Sequence, residues 1–196
     1  MKSSYWLPCS IHTLRPLAKE IGRDHSLAEQ LWATGIHEAR ILASYIDDPL
    51  QVTEEQLERW VSDFNSWDVC DQVVELFSHT PYAYPKIYEW SSRPEEFVKR
   101  AAFALIAEQA AHDKRAPDET FIELLPLIIR ESKDERNFVR KAVNWALRNI
   151  GKRNRNLNVH AVAAAEKIKL IDSRSARWIA SDALRELTGE KVQSRL

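Results

Sequence analysis

Helix-period apolar spacing runs through this chain from end to end, and no strand-like alternation competes with it. Apolar positions recur at three- and four-residue intervals from Leu14 to Ile21, Leu27 to Trp32 and Ile36 to Ile46. Thr53-Glu54-Glu55-Gln56 reads as a capping box opening a helix that carries Leu57, Trp60, Val61 and Phe64. Ser66 stands where it would cap the next helix, which continues to about His79. Pro81 and Pro85 predict a turn before Tyr88 and Trp90. Ser92, Pro94, Glu95 and Glu96 predict a helix start, followed by an apolar run to Ala111. Asp118 opens a helix to Ile129, and Ser132 opens one through Arg148 that stops near Gly151. Two more are expected over 156–170 and 173–187.

Only four glycines occur in 196 residues, while Leu, Ala, Glu and Arg abound, so local propensity agrees with the spacing. About ten or eleven helices with short connections predict an all-α protein of helix hairpins stacked side by side, in the manner of an α-α superhelix. The hairpins keep a loose rhythm of roughly 35–45 residues without a tight repeat. Such a stack would form one helical-repeat domain over 1–196. A compact all-α bundle is the alternative.

Several chemistries are excluded. Apolar residues at 44% and charged residues at 29% mark a globular chain. No apolar run approaches the roughly 20 residues that span a bilayer, and the N-terminus lacks a signal-peptide pattern, so no membrane partner and a cytoplasmic location are expected. Cys9 and Cys70 are too few and too far apart to suggest a disulfide framework. There is no glycine-rich phosphate loop and no nucleophile elbow. His37-Glu38-Ala39-Arg40-Ile41 begins like a zinc-protease motif but ends on Ile41 rather than histidine. The six histidines are scattered, so neither a metal nor a cofactor is expected.

Charge is unevenly spread. Residues 1–92 hold 7 Lys/Arg against 14 Asp/Glu, a balance of −7, and residues 93–196 hold 21 against 15, a balance of +6. Within 136–160 lie Arg136, Arg140, Lys141, Arg148, Lys152, Arg153 and Arg155, with no acidic residue. The block reads as a surface for a polyanion, with Lys141, Arg148, Lys152 and Arg153 as candidate phosphate ligands, or as a solvated helix face.

The most informative acids lie in Ser66-Trp67-Asp68-Val69-Cys70-Asp71. On a helix, Trp67, Cys70, Val74 and Phe77 form a stripe predicted to face inward, with Asp71 on its flank. Asp68 sits in the first turn, where a carboxylate favours the positive helix end. Asp71 lies one turn further in, so a partly desolvated charge there needs either a buried partner, such as an arginine on a neighbouring helix, or a functional reason. In the helix beginning near Asn137, Val139, Val143, Ala146 and Ile150 mark the buried stripe, while Trp145 follows Lys141 by four residues and precedes Arg148 by three. Aromatics interleaved with cations suit a nucleic-acid surface. Arg100, one turn after Phe97, is a third place where charge meets the apolar edge.

The segments Leu14–Pro49, Trp67-Asp68-Val69-Cys70-Asp71, "FVKRAAFAL" from Phe97 and "FVRKAVNWALRNIGKRN" from Phe138 together resemble the bacterial DNA alkylation repair family of D-type alkylpurine DNA glycosylases. The resemblance implies a superhelix of HEAT-like repeats whose concave basic face holds duplex DNA. It also implies removal of N3- and N7-alkylated purines, in base excision repair and without base flipping. Carried over by motif, Asp71 would be the catalytic carboxylate, Trp67 and Trp145 would contact the lesion nucleotide, and Arg100 would hold a neighbouring phosphate. The partner would be duplex DNA carrying an alkylated purine, bound by a monomer. One or two N-terminal helices of the family are expected to be missing. Two further readings of the same surface are a non-catalytic module for damaged or branched DNA and a protein-binding scaffold.

Overall fold

In the computed structural model, which describes residues 10–196, the periodicity resolves into twelve helices, with no strand among the described residues. They are α1 (Ile11–Ile21), α2 (His25–Ala33), α3 (His37–Ile46), α4 (Glu54–Ser62), α5 (Trp67–Ser78), α6 (Ala83–Trp90), α7 (Glu96–His112), α8 (Asp118–Glu131), α9 (Asn137–Gly151), α10 (Arg155–Lys169), α11 (Arg174–Leu187) and α12 (Glu190–Gln193). Side-chain oxygens satisfy free backbone N–H groups at four starts: Asp24 accepts from Leu27, Thr53 from Gln56, Asn154 from Leu157 and Ser173 from Ala176.

Three local expectations are corrected. Pro85 lies inside α6 rather than in a turn; it is the third helical residue, where the N–H it lacks would have no partner within the helix. Ser132 ends α8 instead of opening α9, and its hydroxyl donates back to the Ile129 carbonyl. Arg136 then grips Asp134 at 3.0 and 2.6 Å and the Pro94 carbonyl at 2.6 Å, fixing a turn that delays α9 to Asn137. Ser66 does precede α5, but its hydroxyl makes no capping bond.

The helices form two layers. Each of α1, α3, α5, α7, α9 and α11 packs on the next of that series, and α2, α6, α8 and α10 lie against it from one side. Neighbours in the odd-numbered series touch at equal depth. Phe97 and Phe138, each the second residue of its helix, have centroids 5.4 Å apart, and Arg148 of α9 meets Glu186 of α11 one position on. The odd-numbered helices therefore run parallel, as in a helical-repeat stack. They start at residues 11, 37, 67, 96, 137 and 174, so the repeat is shorter than expected up to α7 and near the expected length beyond it.

Two devices stiffen the stack. Between the layers, Trp32 stacks on Trp60 at 4.0 Å, Trp60 meets Phe77, and Phe77 meets Trp90. Each of these indoles donates to a carboxylate two helices away in the chain: Trp32 of α2 to Asp63 at the end of α4, Trp60 of α4 to Glu29 of α2 and Trp90 of α6 to Glu58 of α4. At the centre, α7 is apolar on nearly every face from Val98 to Ala110 and is buried all round. Any polar side chain on α7 must therefore find its partner inside the protein.

Candidate functional site

Asp71, Arg100 and Lys141 are each the fifth residue of their helices, α5, α7 and α9. Because these helices run parallel and in step, the three side chains fall in one row across the odd-numbered layer. The row lies in a cleft of about 330 Å³ lined by Trp67, Asp71, Arg100, Phe138, Lys141 and Trp145. Five residues singled out from the sequence, on three helices and up to 78 positions apart from Trp67 to Trp145, thus meet in one place.

The centre of the cleft is an ion pair. Arg100 donates from Nε to Asp71 Oδ1 at 2.9 Å and from Nη2 to Asp71 Oδ2 at 2.7 Å. Its Nη1 donates to the Phe138 carbonyl at 2.7 Å. The fork geometry holds the carboxylate plane fixed. Burial pushes the Asp71 carboxyl above its ordinary range; the Arg100 bonds work against this and the nearby Asp68 charge adds to it. Arg100 itself is 6% exposed. Three of its five N–H groups are committed to Asp71 and to the Phe138 carbonyl, and the side chain lines the cleft beside them.

Trp67 departs from its predicted place. Cys70, Val74 and Phe77 of the proposed stripe are fully buried, but Trp67 is 52% exposed. As the first residue of α5, it sits where the helix emerges from the stack, and its ring forms the rim of the cleft. Trp145 is half-buried on the opposite side, and Val139, Val143, Ala146 and Ile150 are buried beneath it as the periodicity predicts. Phe138 was not singled out. The signal for it is the near-repeat of Phe97-Val98-Lys99-Arg100-Ala101 and Phe138-Val139-Arg140-Lys141-Ala142, which places Phe138 one helix on from Phe97.

The basic run of α9 divides between two faces. Lys141 is exposed and lines the cleft. Arg148 instead pairs with Glu186 and, at 3.4 Å, with Asp182, while Lys152 pairs with Glu186 at 3.0 Å. Arg153 donates to the carbonyls of Ala110 and Ala116 and lies 4.5 Å from the centroid of Phe121. Asn144 completes the seam by donating to Asp182 at 2.7 Å. Residues 140, 144, 148 and 152 share one helix face turned toward α11, whose Asp182 and Glu186 neutralise Arg148 and Lys152. The block free of acids in sequence is thus not a block of free charge in space: Arg148 and Lys152 are paired with acids of α11, and Arg153 with backbone carbonyls.

Asp68 meets His37 Nε2 at 2.8 Å. Burial opposes its ionisation, but the His37 imidazole and the Val69 N–H prevail and hold its carboxyl below the ordinary value. His37, the first residue of the "HEARI" segment, is therefore the partner of a helix-start carboxylate. Cys70, between the two aspartates, is a free buried thiol raised well above its ordinary value by burial; Cys9 lies outside the described residues. No helix among the described residues is long and apolar enough to cross a membrane.

The architecture has a solved counterpart. The chain superposes with a TM-score of 0.76 on a structure from a family of proteins described as related to the HEAT-like repeat DNA glycosylases, with affinity for branched DNA structures. Identity is 20%, over 92% of this chain and 82% of that one. A designed armadillo repeat protein in complex with a (KR)4 peptide gives a TM-score of 0.39 at 16% identity, over 94% of this chain and 88% of that one. No curated protein matches the sequence. The family described as DNA alkylation repair enzyme matches residues 7–187, a span that contains every residue of the cleft. The chain belongs to the DNA alkylation repair enzyme family.

Proposed function

We propose that this protein is a DNA glycosylase that excises N3- and N7-alkylated purines from duplex DNA, acting as a monomer in base excision repair, with Asp71 as its catalytic carboxylate. One observation carries the reading: a partly desolvated carboxylate, locked in orientation by Arg100, lies in a cleft flanked by the two tryptophans.

An N3- or N7-alkylated purine is already cationic, so it leaves readily and the site need supply little acid assistance. As the C1′–N9 bond breaks, its electron pair neutralises the base and positive charge develops on the sugar. Asp71 stabilises that charge, and its low-dielectric surroundings strengthen the effect. A water oxygen then bonds to C1′, and its proton passes to the Asp71 carboxylate or to solvent. Trp67 and Trp145 offer ring faces to a cationic nucleotide approaching from the backbone side, without base flipping. Arg100 acts as a positioning residue for Asp71. The positive charge of the lesion supplies the activation, so the reading calls for no cofactor.

The second reading, a non-catalytic module for branched or damaged DNA, is favoured by the pairing of Arg148 and Lys152 with Glu186 and of Arg153 with backbone carbonyls, which occupies three of the four candidate phosphate ligands. Incubation with duplex DNA carrying N7-methylguanine, scored for free base, separates the two. Release by the wild type and its loss in Asp71→Asn supports the glycosylase. No release by the wild type, with binding retained, supports the module.

A further inference from the structure

Trp178 lies outside the cleft, yet it continues the row, because it is the fifth residue of α11 as Asp71, Arg100 and Lys141 are of α5, α7 and α9. Whereas Trp32, Trp60 and Trp90 are buried and tied to carboxylates, Trp178 is 38% exposed. Arg140, the neighbour of Lys141, lies with its guanidinium carbon 5.1 Å from the centroid of the Trp178 ring. Its Nη2 donates to the Asn137 side chain at 3.2 Å. The other cations on this face of α9, Arg148 and Lys152, meet carboxylates. Arg140 meets an aromatic ring in their place. Asp182 and Glu186 carry the α9–α11 seam as far as Asn144, and at its next step toward the helix N-termini the acid is replaced by tryptophan.

An exposed indole beside an arginine without a carboxylate is suited to a nucleotide, with the guanidinium for a phosphate and the ring for a sugar or base. From α7, midway between the helices of Trp67 and Trp145, to α11 is two helix spacings of about 8–10 Å each, which corresponds to about five base steps at about 3.4 Å each. We propose that Trp178 and Arg140 form a second strand contact, holding the DNA about five nucleotides to one side of the nucleotide at Trp67 and Trp145. The inference rests on the reading of the cleft as the site of the lesion.

Fluorescence anisotropy with the full chain tests it, using undamaged and N7-methylguanine duplexes extending about eight base pairs beyond the central position, or trimmed to about two on either side. The wild type should lose about tenfold in affinity when one particular side is trimmed. Trp178→Ala should bind the untrimmed duplex about tenfold more weakly and be indifferent to trimming, and Trp178→Phe should restore most of the loss. Arg140→Gln, which spares the ring, should lower the slope of log affinity against log salt by about one. Wild-type affinity and length dependence in both Trp178→Ala and Arg140→Gln would overturn the proposal. Base release separates the two readings. No release by the wild type, with length dependence still lost in Trp178→Ala, removes the glycosylase and leaves the strand contact. Normal release with unaltered length dependence removes only the strand contact.

Discussion

Arg100 of α7 closes on Asp71 of α5 with two parallel hydrogen bonds, and a third ties the same guanidinium to the backbone of α9 at Phe138. One side chain thus joins three successive helices of the odd-numbered layer and sets the orientation of the carboxylate in the cleft. Removing either partner leaves the other charge in a poorly solvated place. Arg100→Ala is expected to destabilise the protein by about 3–5 kcal/mol, measured by urea unfolding. Arg100→Lys keeps the charge but loses the fork, so it should retain more stability than Arg100→Ala while base release still falls.

The raised pKa of Asp71 gives activity and stability opposite pH dependences. Its ionised form is disfavoured in the folded state, so its contribution to stability is present at low pH and is lost as pH rises through the raised value. Base release requires the ionised form and rises over the same window, which lies above the ordinary aspartate value of about 3.9. The pH–rate profile should show this acid limb. The difference in unfolding free energy between wild type and Asp71→Asn should change across the same interval.

Only one of the four candidate phosphate ligands faces the cleft with its charge available. Lys141→Ala should lower the slope of log DNA affinity against log salt by about one. Lys152→Ala should leave that slope near the wild-type value and cost about 0.2–1 kcal/mol of stability, as expected for a partly exposed ion pair. Titration of binding against salt, paired with thermal unfolding of each variant, distinguishes the two roles.

Trp67 and Trp60 provide an internal contrast. Trp67 is 52% exposed at the cleft rim, so Trp67→Ala should reduce base release with little change in unfolding midpoint. Trp60 is fully buried against Trp32 and Phe77, and Trp60→Ala should cost about 3–5 kcal/mol.

Gly151 of α9 lies against Ala161 of α10 and Leu187 of α11. A Cβ there would stand 2.7 Å from the Leu187 methyls and 2.9 Å from the Ala161 Cβ. Gly151→Ala should therefore destabilise the protein by about 1–3 kcal/mol through overpacking, despite the better helix propensity of alanine. A lower melting temperature with unchanged DNA binding per folded molecule is the expected result.

The helices and their buried stripes were legible in the sequence because periodicity is local. Val139, Val143, Ala146 and Ile150 face the core for the same reason that Lys141 and Trp145 share the next face: all are set by 3.6 residues per turn. The four-residue spacing likewise sets Trp67 and Asp71 on one side of α5, while their place in a site was implied by the family resemblance and not by the spacing. Tertiary structure decided the electrostatics. Arg100 lies 29 residues from Asp71, and Glu186 lies 38 from Arg148, so no window along the chain could show that one arginine locks the carboxylate or that α11 neutralises α9. It also decided that Trp67 reaches solvent while Cys70 does not, because exposure at a helix end depends on what neighbouring helices cover. Spacing determines which side chains share a face; only the parallel stacking of α5, α7, α9 and α11 determines what that face meets.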